Sequence, residues 1–365
     1  MRPAVEIPSG LSELLARQFP GGAVLEARPL APDAKAEGAT TKVEGYGRPL
    51  LVRVRGADGT LHAVVFRTAS ENEYGHDRRA DRAAGALLAF DTFGQIPHHI
   101  RALDVGAIRR DGQLLSLRDG GELYLLTTYA PGSLYAEDLR RLQHEGEARP
   151  LDLQRVRALA ACLAELHADR GGPRAAYTRA VRDLVGHGEG IFGIVDGYPP
   201  ATPAAPPERL HGIERRCLDW RWRLRERTDR LCRTHGDFHP FNIVFREGSD
   251  FSLLDASRGC RGEAADDVTC LAINYVFFAL SDRDSWAGGF GPLWRQLWRS
   301  YLDATGDRAL LAVAPPFLAW RGLVLASPRW YPELPQSARQ ALLGWIERAL
   351  DAPSFDPDSA EELFP

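Results

Sequence analysis

Apolar positions follow two regimes along the chain. Up to about residue 128 they alternate in short runs, and beyond about 150 they recur at helical spacing. Residues 8–18 (Pro-Ser-Gly-Leu-Ser-Glu-Leu-Leu-Ala-Arg-Gln) predict a short capped amphipathic helix. Strands are predicted over 23–30, 48–55 and 61–68, the last two joined by the turn Gly56-Ala57-Asp58-Gly59. A polar helix over 76–92 carries Ala80, Ala83, Ala84, Leu87 and Leu88 at helical spacing, and further strands are predicted near 103–109 and 122–128. Tyr129-Ala130-Pro131-Gly132 breaks the last of these.

The second regime opens with a helix over 151–168 through Val156, Leu159, Leu163, Leu166 and His167, where a lone His reads as a satisfied core residue. Residues 183–207 are rich in Gly and Pro, and Pro-Pro-Ala-Thr-Pro-Ala-Ala-Pro-Pro (199–207) predicts an exposed loop. A helix over 207–231 follows, with Trp220 and Trp222 as packing residues. Ile243-Val244-Phe245, the turn Glu247-Gly248-Ser249-Asp250 and Phe251 to Leu254 then make a hairpin. Helices are predicted over 268–281, 289–304, 308–327 and 336–350.

A chain of 365 residues is too long for one small core and predicts two domains. An apolar fraction of 44% and a charged fraction of 26% are ordinary for a globular protein. A net charge of −4 and a pI near 6.2 argue against a general nucleic-acid partner. Met1 to Gly22 shows no basic start followed by an apolar core, so no secretory signal is expected. The apolar run Leu271 to Leu280 is about half of a membrane span. Five cysteines at irregular spacing give neither a disulfide framework nor a zinc ribbon, and Cys162 reads as a small core residue. The expectation is a cytoplasmic protein without a membrane partner, its oligomeric state left open.

Candidate chemistry concentrates around the hairpin, in His235-Gly236-Asp237-Phe238-His239-Pro240-Phe241-Asn242 and Asp255. The hairpin delivers Asp255 beside Asn242. A carboxylate and a carboxamide brought together suit a hard cation such as Mg²⁺, which takes oxygen ligands and keeps waters for a substrate's phosphates. Asp237 is then free to orient and deprotonate a hydroxyl nucleophile. The same stretch admits another arrangement, with His235, Asp237 and His239 as zinc ligands, which leaves Asn242 and Asp255 without roles.

Asp-x-x-x-x-Asn followed by a strand-borne Asp resembles the catalytic loop and metal-binding Asp of protein kinases. The wording His-Gly-Asp-x-His-Pro-x-Asn is more similar to the aminoglycoside phosphotransferase and choline kinase family. Gly262-Glu263-Ala264-Ala265-Asp266-Asp267-Val268 resembles that family's Gly-Asp-Pro-Ala-x-Asp-Leu segment, with Asp267 on its retained aspartate. The resemblance implies an α+β, two-lobed protein kinase-like fold. It has a small antiparallel-sheet N-lobe (1–128, five strands and one helix), a hinge (129–132) and a larger, mainly helical C-lobe (133–365). It further implies that Asp237 is the catalytic base, that Asn242 and Asp255 hold Mg²⁺, and that His235 and Asp267 brace the loop. Backbone groups of Thr128, Tyr129 and Ala130 would meet the adenine at the hinge.

Two positions depart from the family. Its third strand carries a Lys that grips the nucleotide's α- and β-phosphates, paired with a Glu on the next helix; here Arg67 and Asp81 stand there. Arg grips phosphate bidentately but is bulkier and not interchangeable with an ammonium. The Gly-rich stretch Gly38 to Gly47 lies between the first two strands but matches neither Gly-x-Gly-x-x-Gly nor a Walker loop. It contains Lys42, which with Lys35 makes up all the lysine in the sequence, and Lys42 is the candidate to share the phosphate grip. The function implied is transfer of the γ-phosphoryl group of ATP or GTP to a hydroxyl on a small molecule. The alternative is a pseudokinase that binds nucleotide or metabolite without turnover, which the altered strand lysine favours and the complete Asp237, Asn242 and Asp255 set opposes.

Overall fold

The computed structural model describes residues 8–29, 49–256 and 258–365. It divides into two compact units, Met1–Thr127 and Thr128–Pro365. In the first, α1 (Leu11–Gln18) is followed by β1 (Ala23–Pro29), β2 (Leu50–Arg55) and β3 (Leu61–Phe66), an antiparallel sheet in the order β1-β2-β3. Alternation along β2 sends Leu50, Val52 and Val54 inward, where they meet Leu11 and Leu15 of α1. Helix α2 (Arg79–Phe93) has no fully buried residue. The pair β4 (Gly106–Ile108) and β5 (Leu114–Ser116) forms its own hairpin.

A five-stranded sheet is therefore not what the described residues form. The expected strand over 122–128 pairs with no strand among the described residues, with Leu123, Tyr124, Leu125 and Leu126 all more than half exposed. Its short apolar run followed by two Thr reads as a strand, but a strand exists only where a neighbour accepts its backbone hydrogen bonds.

The second unit is mostly helical: β6 (Ser133–Leu134), α3 (Tyr135–Glu145), α4 (Pro150–Ala168), α5 (Arg174–Gly186), α6 (Ile191–Asp196), α7 (Pro207–Leu224), β7 (Leu231–Arg233), β8 (Ile243–Phe245), β9 (Phe251–Leu253), β10 (Arg261–Glu263), α8 (Ala264–Ser281), α9 (Gly291–Thr305), α10 (Pro315–Ala326) and α11 (Gln336–Asp351). Helix α8 runs through the core. It is long and apolar enough by composition to cross a membrane, yet 83% of that window is buried in the protein. Around it pack α3, α9 and α10, with α4 against α9 and α11 against α10. Trp294, Trp298, Trp345 and Phe355 pack together, Trp294 edge to face on Trp298 at 5.6 Å between centroids and on Trp345 at 6.1 Å, with Phe355 tilted against Trp298.

Several expectations shift here. The predicted exposed loop over 199–207 buries Thr202, Ala204 and Ala205, because small side chains in tight turns pack against a core that larger ones would leave. The helix expected to reach 231 ends at Leu224, and β7 replaces its tail. Trp220 is a packing residue, its indole donating to the Leu350 carbonyl at 2.9 Å. Trp222 is not: it is 58% exposed, with the Arg225 guanidinium 4.5 Å from its ring centroid.

Candidate active site

Strands β7 and β10 pair antiparallel (Cys232 opposite Gly262) and bring the loop beginning at His235 to the first turn of α8. There Asp267 is fully buried and accepts the backbone N–H groups of His235 (2.7 Å) and Gly236 (2.8 Å). A buried carboxylate is tolerable when its oxygens are filled in this way and when it sits at a helix N-terminus. His167 from α4 reaches the same carboxylate at 3.2 Å through Nε2, and its Nδ1 lies 2.8 Å from the Tyr301 hydroxyl. Gly236 has φ of 85°, and a Cβ there would lie 3.2 Å from that of Arg258, so the turn calls for glycine.

Asp237 emerges from this turn with its side chain 15% exposed. Arg321 Nη1 donates to its Oδ1 at 2.9 Å, and Arg258 Nη1 stands 3.6 Å from the same oxygen. On Oδ2, His239 Nε2 lies at 3.4 Å and Asn242 Nδ2 at 3.5 Å. Since His239 Nδ1 accepts the Phe241 N–H at 3.1 Å, a neutral ring carries its proton on Nε2, facing Asp237. Burial pushes the Asp237 carboxyl up, but the His239 hydrogen bond and the Arg321 and Arg258 charges outweigh it and hold the group well below the usual carboxylate range. His235 is buried behind it; its Nδ1 accepts the Asp237 N–H at 3.3 Å and its Nε2 has no partner among the described residues.

The hairpin forms over the expected residues, with Ile243 opposite Leu253 and Phe245 opposite Phe251. Asn242 sits at its open end, 8% exposed. Its Nδ2 donates to the Asp237 carbonyl at 3.1 Å, which leaves Oδ1 as the end of the amide able to meet a ligand. The Leu254 N–H donates to the Asn242 carbonyl at 2.8 Å, so Asp255 follows directly on the residue paired with Asn242. Asp255 is exposed, has φ of 54°, and its side chain has no partner among the described residues. A non-glycine residue in that region is uncommon. These are oxygen donors with free lone pairs, the chemistry a hard divalent cation takes. The zinc arrangement is not formed: no group of three or more His, Cys, Asp or Glu able to hold a metal ion occurs among the described residues.

The first unit holds the other candidates. Arg67 follows β3, is exposed, and borders a cavity of about 660 Å³ walled by Leu11, Leu15, Phe66 and Phe90. Asp81 does not pair with Arg67; its carboxylate accepts the Arg78 N–H at 2.9 Å and caps its own helix. Lys42 and the Gly38–Gly47 stretch lie outside the described residues. In the second unit, Thr128 and Tyr129 are exposed and Ala130 half-buried, outside any helix or strand.

Sequence reasoning assigned no role to Arg321, Arg258 or Asp266, and it offered His239 only as a zinc ligand rather than as a hydrogen-bond donor to Asp237. Arg321 left a signal, being the one charge in the otherwise apolar Pro-Pro-Phe-Leu-Ala-Trp-Arg-Gly-Leu-Val-Leu-Ala of α10. Asp266, which accepts from Arg321 Nη2 at 2.7 Å, is raised by burial to about 6, even against the Arg321 charge.

The phosphotransferase enzyme family (APH) matches residues 36–311. Among solved structures the chain is similar to a glucosamine kinase in complex with glucosamine, ADP and inorganic phosphate, at 17% identity over 100% of each chain and a TM-score of 0.39. It is also similar to the amicoumacin kinase hAmiN in complex with AMP-PNP, Ca²⁺ and Ami, at 14% identity over 89% of this chain and 92% of that one, TM-score 0.39. A third is the ADP-bound aminoglycoside phosphotransferase APH(2'')-Ib, at 13% identity over 96% and 97%, TM-score 0.34. No curated protein sequence matches the chain.

Proposed function

The chain belongs to the phosphotransferase enzyme family, and from that premise we propose that it moves the γ-phosphoryl group of ATP or GTP to a hydroxyl of a small molecule, with Asp237 handling the acceptor's proton. Membership makes it a small-molecule phosphotransferase with the α+β protein kinase-like fold. The observation that carries the finer reading is the meeting of Asp237 and Asn242 at one loop, with Asp255 next along the paired strand.

The reaction forms a bond from the acceptor oxygen to the γ-phosphorus and breaks the bond to the β–γ bridging oxygen. The nucleoside diphosphate leaves, and the hydroxyl proton passes to Asp237. A carboxylate held this far on its anionic side is a weak base, and a loose phosphoryl-transfer transition state does not ask for a strong one. Its contribution is mainly to aim the hydroxyl, accepting the proton once the oxygen is bonded to phosphorus. Asn242 Oδ1 and the Asp255 carboxylate would hold a divalent cation, Mg²⁺ in this reading. Bound there, the cation neutralises charge on the nucleotide's phosphates. Arg67 and Lys42 are the cations of the first unit assigned to the upstream phosphates.

The test is ADP or GDP release with Mg²⁺ across a panel of amino alcohols, sugars and aminoglycosides, run beside nucleotide binding. Asp237→Asn is expected to bind nucleotide within a few-fold of wild type and to lower turnover by about 10²–10⁴-fold. Full turnover in that variant would remove Asp237 from the chemistry.

A further inference from the structure

Arg321 is 7% exposed and lies in the apolar helix α10. A guanidinium so placed is costly unless its donors are filled. Its fork is divided between the catalytic loop and α8: Nη1 to Asp237 Oδ1 at 2.9 Å, Nη2 to the Gly236 carbonyl at 3.0 Å and to Asp266 Oδ1 at 2.7 Å. Its Nε is buried with no acceptor among the described residues. An arginine present only to neutralise Asp266 would have no need to reach Gly236 and Asp237 while leaving Nε unpaired.

The two oxygens of Asp237 are treated unequally. Oδ1 is taken by Arg321 at 2.9 Å, whereas Oδ2 is held only by the longer and weaker hydrogen bonds from His239 at 3.4 Å and Asn242 at 3.5 Å. A carboxylate gripped on one oxygen cannot spin about its terminal torsion, which is otherwise broad. Oδ2 is thereby left as the less tightly held oxygen, the one whose longer contacts a hydroxyl can displace.

We propose that Arg321 is a positioning residue for phosphoryl transfer, clamping Asp237 through Oδ1 and the Gly236 carbonyl so that Oδ2 is presented to the acceptor hydroxyl. This rests on the reading of Asp237 as the group that meets that hydroxyl. Asp266 anchors the far side of the clamp. Trp320, whose ring centroid is 3.9 Å from the Arg321 guanidinium carbon, supports its plane.

The experiment uses the full chain in three forms: Arg321→Lys, Arg321→Met, and Arg321→Met with Asp266→Asn. Thermal melting, nucleotide binding (Mg²⁺–ADP) and ADP release from Mg²⁺–ATP are read, with the acceptor of the panel that gives the fastest wild-type rate. Arg321→Met strands Asp266 and Asp237 in a buried site and is expected to melt lower and lose turnover together. The double variant removes the stranded Asp266 charge. It is expected to recover most of the melting temperature while turnover stays down by on the order of 10²-fold and nucleotide binding stays within threefold. Arg321→Lys offers a single ammonium that cannot fork, and is expected to keep the fold while losing about tenfold in turnover. A double variant, or the Lys variant, with wild-type turnover would overturn the clamp and leave Arg321 as a neutraliser of Asp266. Asp237→Asn assayed alongside separates the two failures. If that variant is fully active, the reading of Asp237 falls and the clamp with it; if it is inactive while the Arg321 variants are not, only the clamp falls.

Discussion

The two units hold their candidate residues in opposite ways. In the second, every acid of the loop except Asp255 is hemmed in. Asp237 meets Arg321, Arg258, His239 and Asn242, and Asp267 takes two backbone N–H groups and His167. In the first, Arg67 stands exposed after a strand, and the described core is the small cluster around Leu11, Leu15, Leu50, Val52 and Val54. Removing one of a set of groups that support one another inside a packed unit, with no compensating change, disturbs stability and turnover together. Exposed groups can be altered at the cost of the one step they serve.

Changes at Asp267 press hardest on that contrast. Asp267→Ala leaves the His235 and Gly236 N–H groups and His167 without their acceptor, and is expected to cost about 3–5 kcal/mol and to abolish turnover. Denaturant titration reads it; a loss under 1 kcal/mol would mean the loop is pinned elsewhere. Asp255 is the exception within the second unit and so the sharper probe. Asp255→Ala is expected to change stability by less than about 0.5 kcal/mol, since the side chain is exposed and unpartnered. Its Mg²⁺ requirement is expected to rise about 10–100-fold in a metal titration of turnover. Asp255→Gly should do the same to the metal while gaining roughly 0.5–1 kcal/mol, because glycine takes a φ of 54° without strain.

Smaller effects are expected away from the loop. Asp307 receives both Nη groups of Arg230 at 3.0 Å. Burial pushes its carboxyl up, but the Arg230 hydrogen bonds and charge and the Arg170 charge outweigh it and hold the group low. With the folded carboxyl more acidic than the unfolded one, the unfolded chain binds more protons as pH falls below about 4, so this stabilisation is present at neutral pH and lost in acid. Asp307→Asn should cost about 1–3 kcal/mol at pH 7, shrinking towards pH 3, with Arg230 still held by Glu263. A difference independent of pH would contradict that origin. Least costly is Arg67→Ala, expected to leave melting unchanged and raise the nucleotide KM roughly tenfold. An unchanged KM there, with a raised one in Lys42→Ala, would move the phosphate grip to the lysine.

What the sequence made legible was local. The hairpin could be read because apolar runs flank a Gly-Ser-Asp turn, and Asp237, Asn242 and Asp255 because their spacing and that hairpin lie within one short stretch. Arg321 could not be placed, being 84 positions from Asp237 and joined to it only by packing of α10 against α8. Strands β7 and β10, three residues each, are too short to show a period. Helix α3 went unseen because Leu134 at its start makes no side-chain cap. At 122–128 the residues favour a strand but no strand partner lies alongside among the described residues, since composition says nothing of what a segment has beside it.

Gly132 has a consequence for the order in which the molecule assembles. It adopts φ of 136°, and a Cβ there would fall 2.3 Å from the Phe245 carbonyl; the residues after it, Ser133 and Leu134, pair with Phe245 and Val244. The middle strand of the hairpin therefore has one neighbour a few residues away and another more than a hundred residues earlier. Closing so long a stretch of chain is slow compared with forming local helices. On dilution from denaturant, helical signal should return before turnover does, and Gly132→Val should widen that delay.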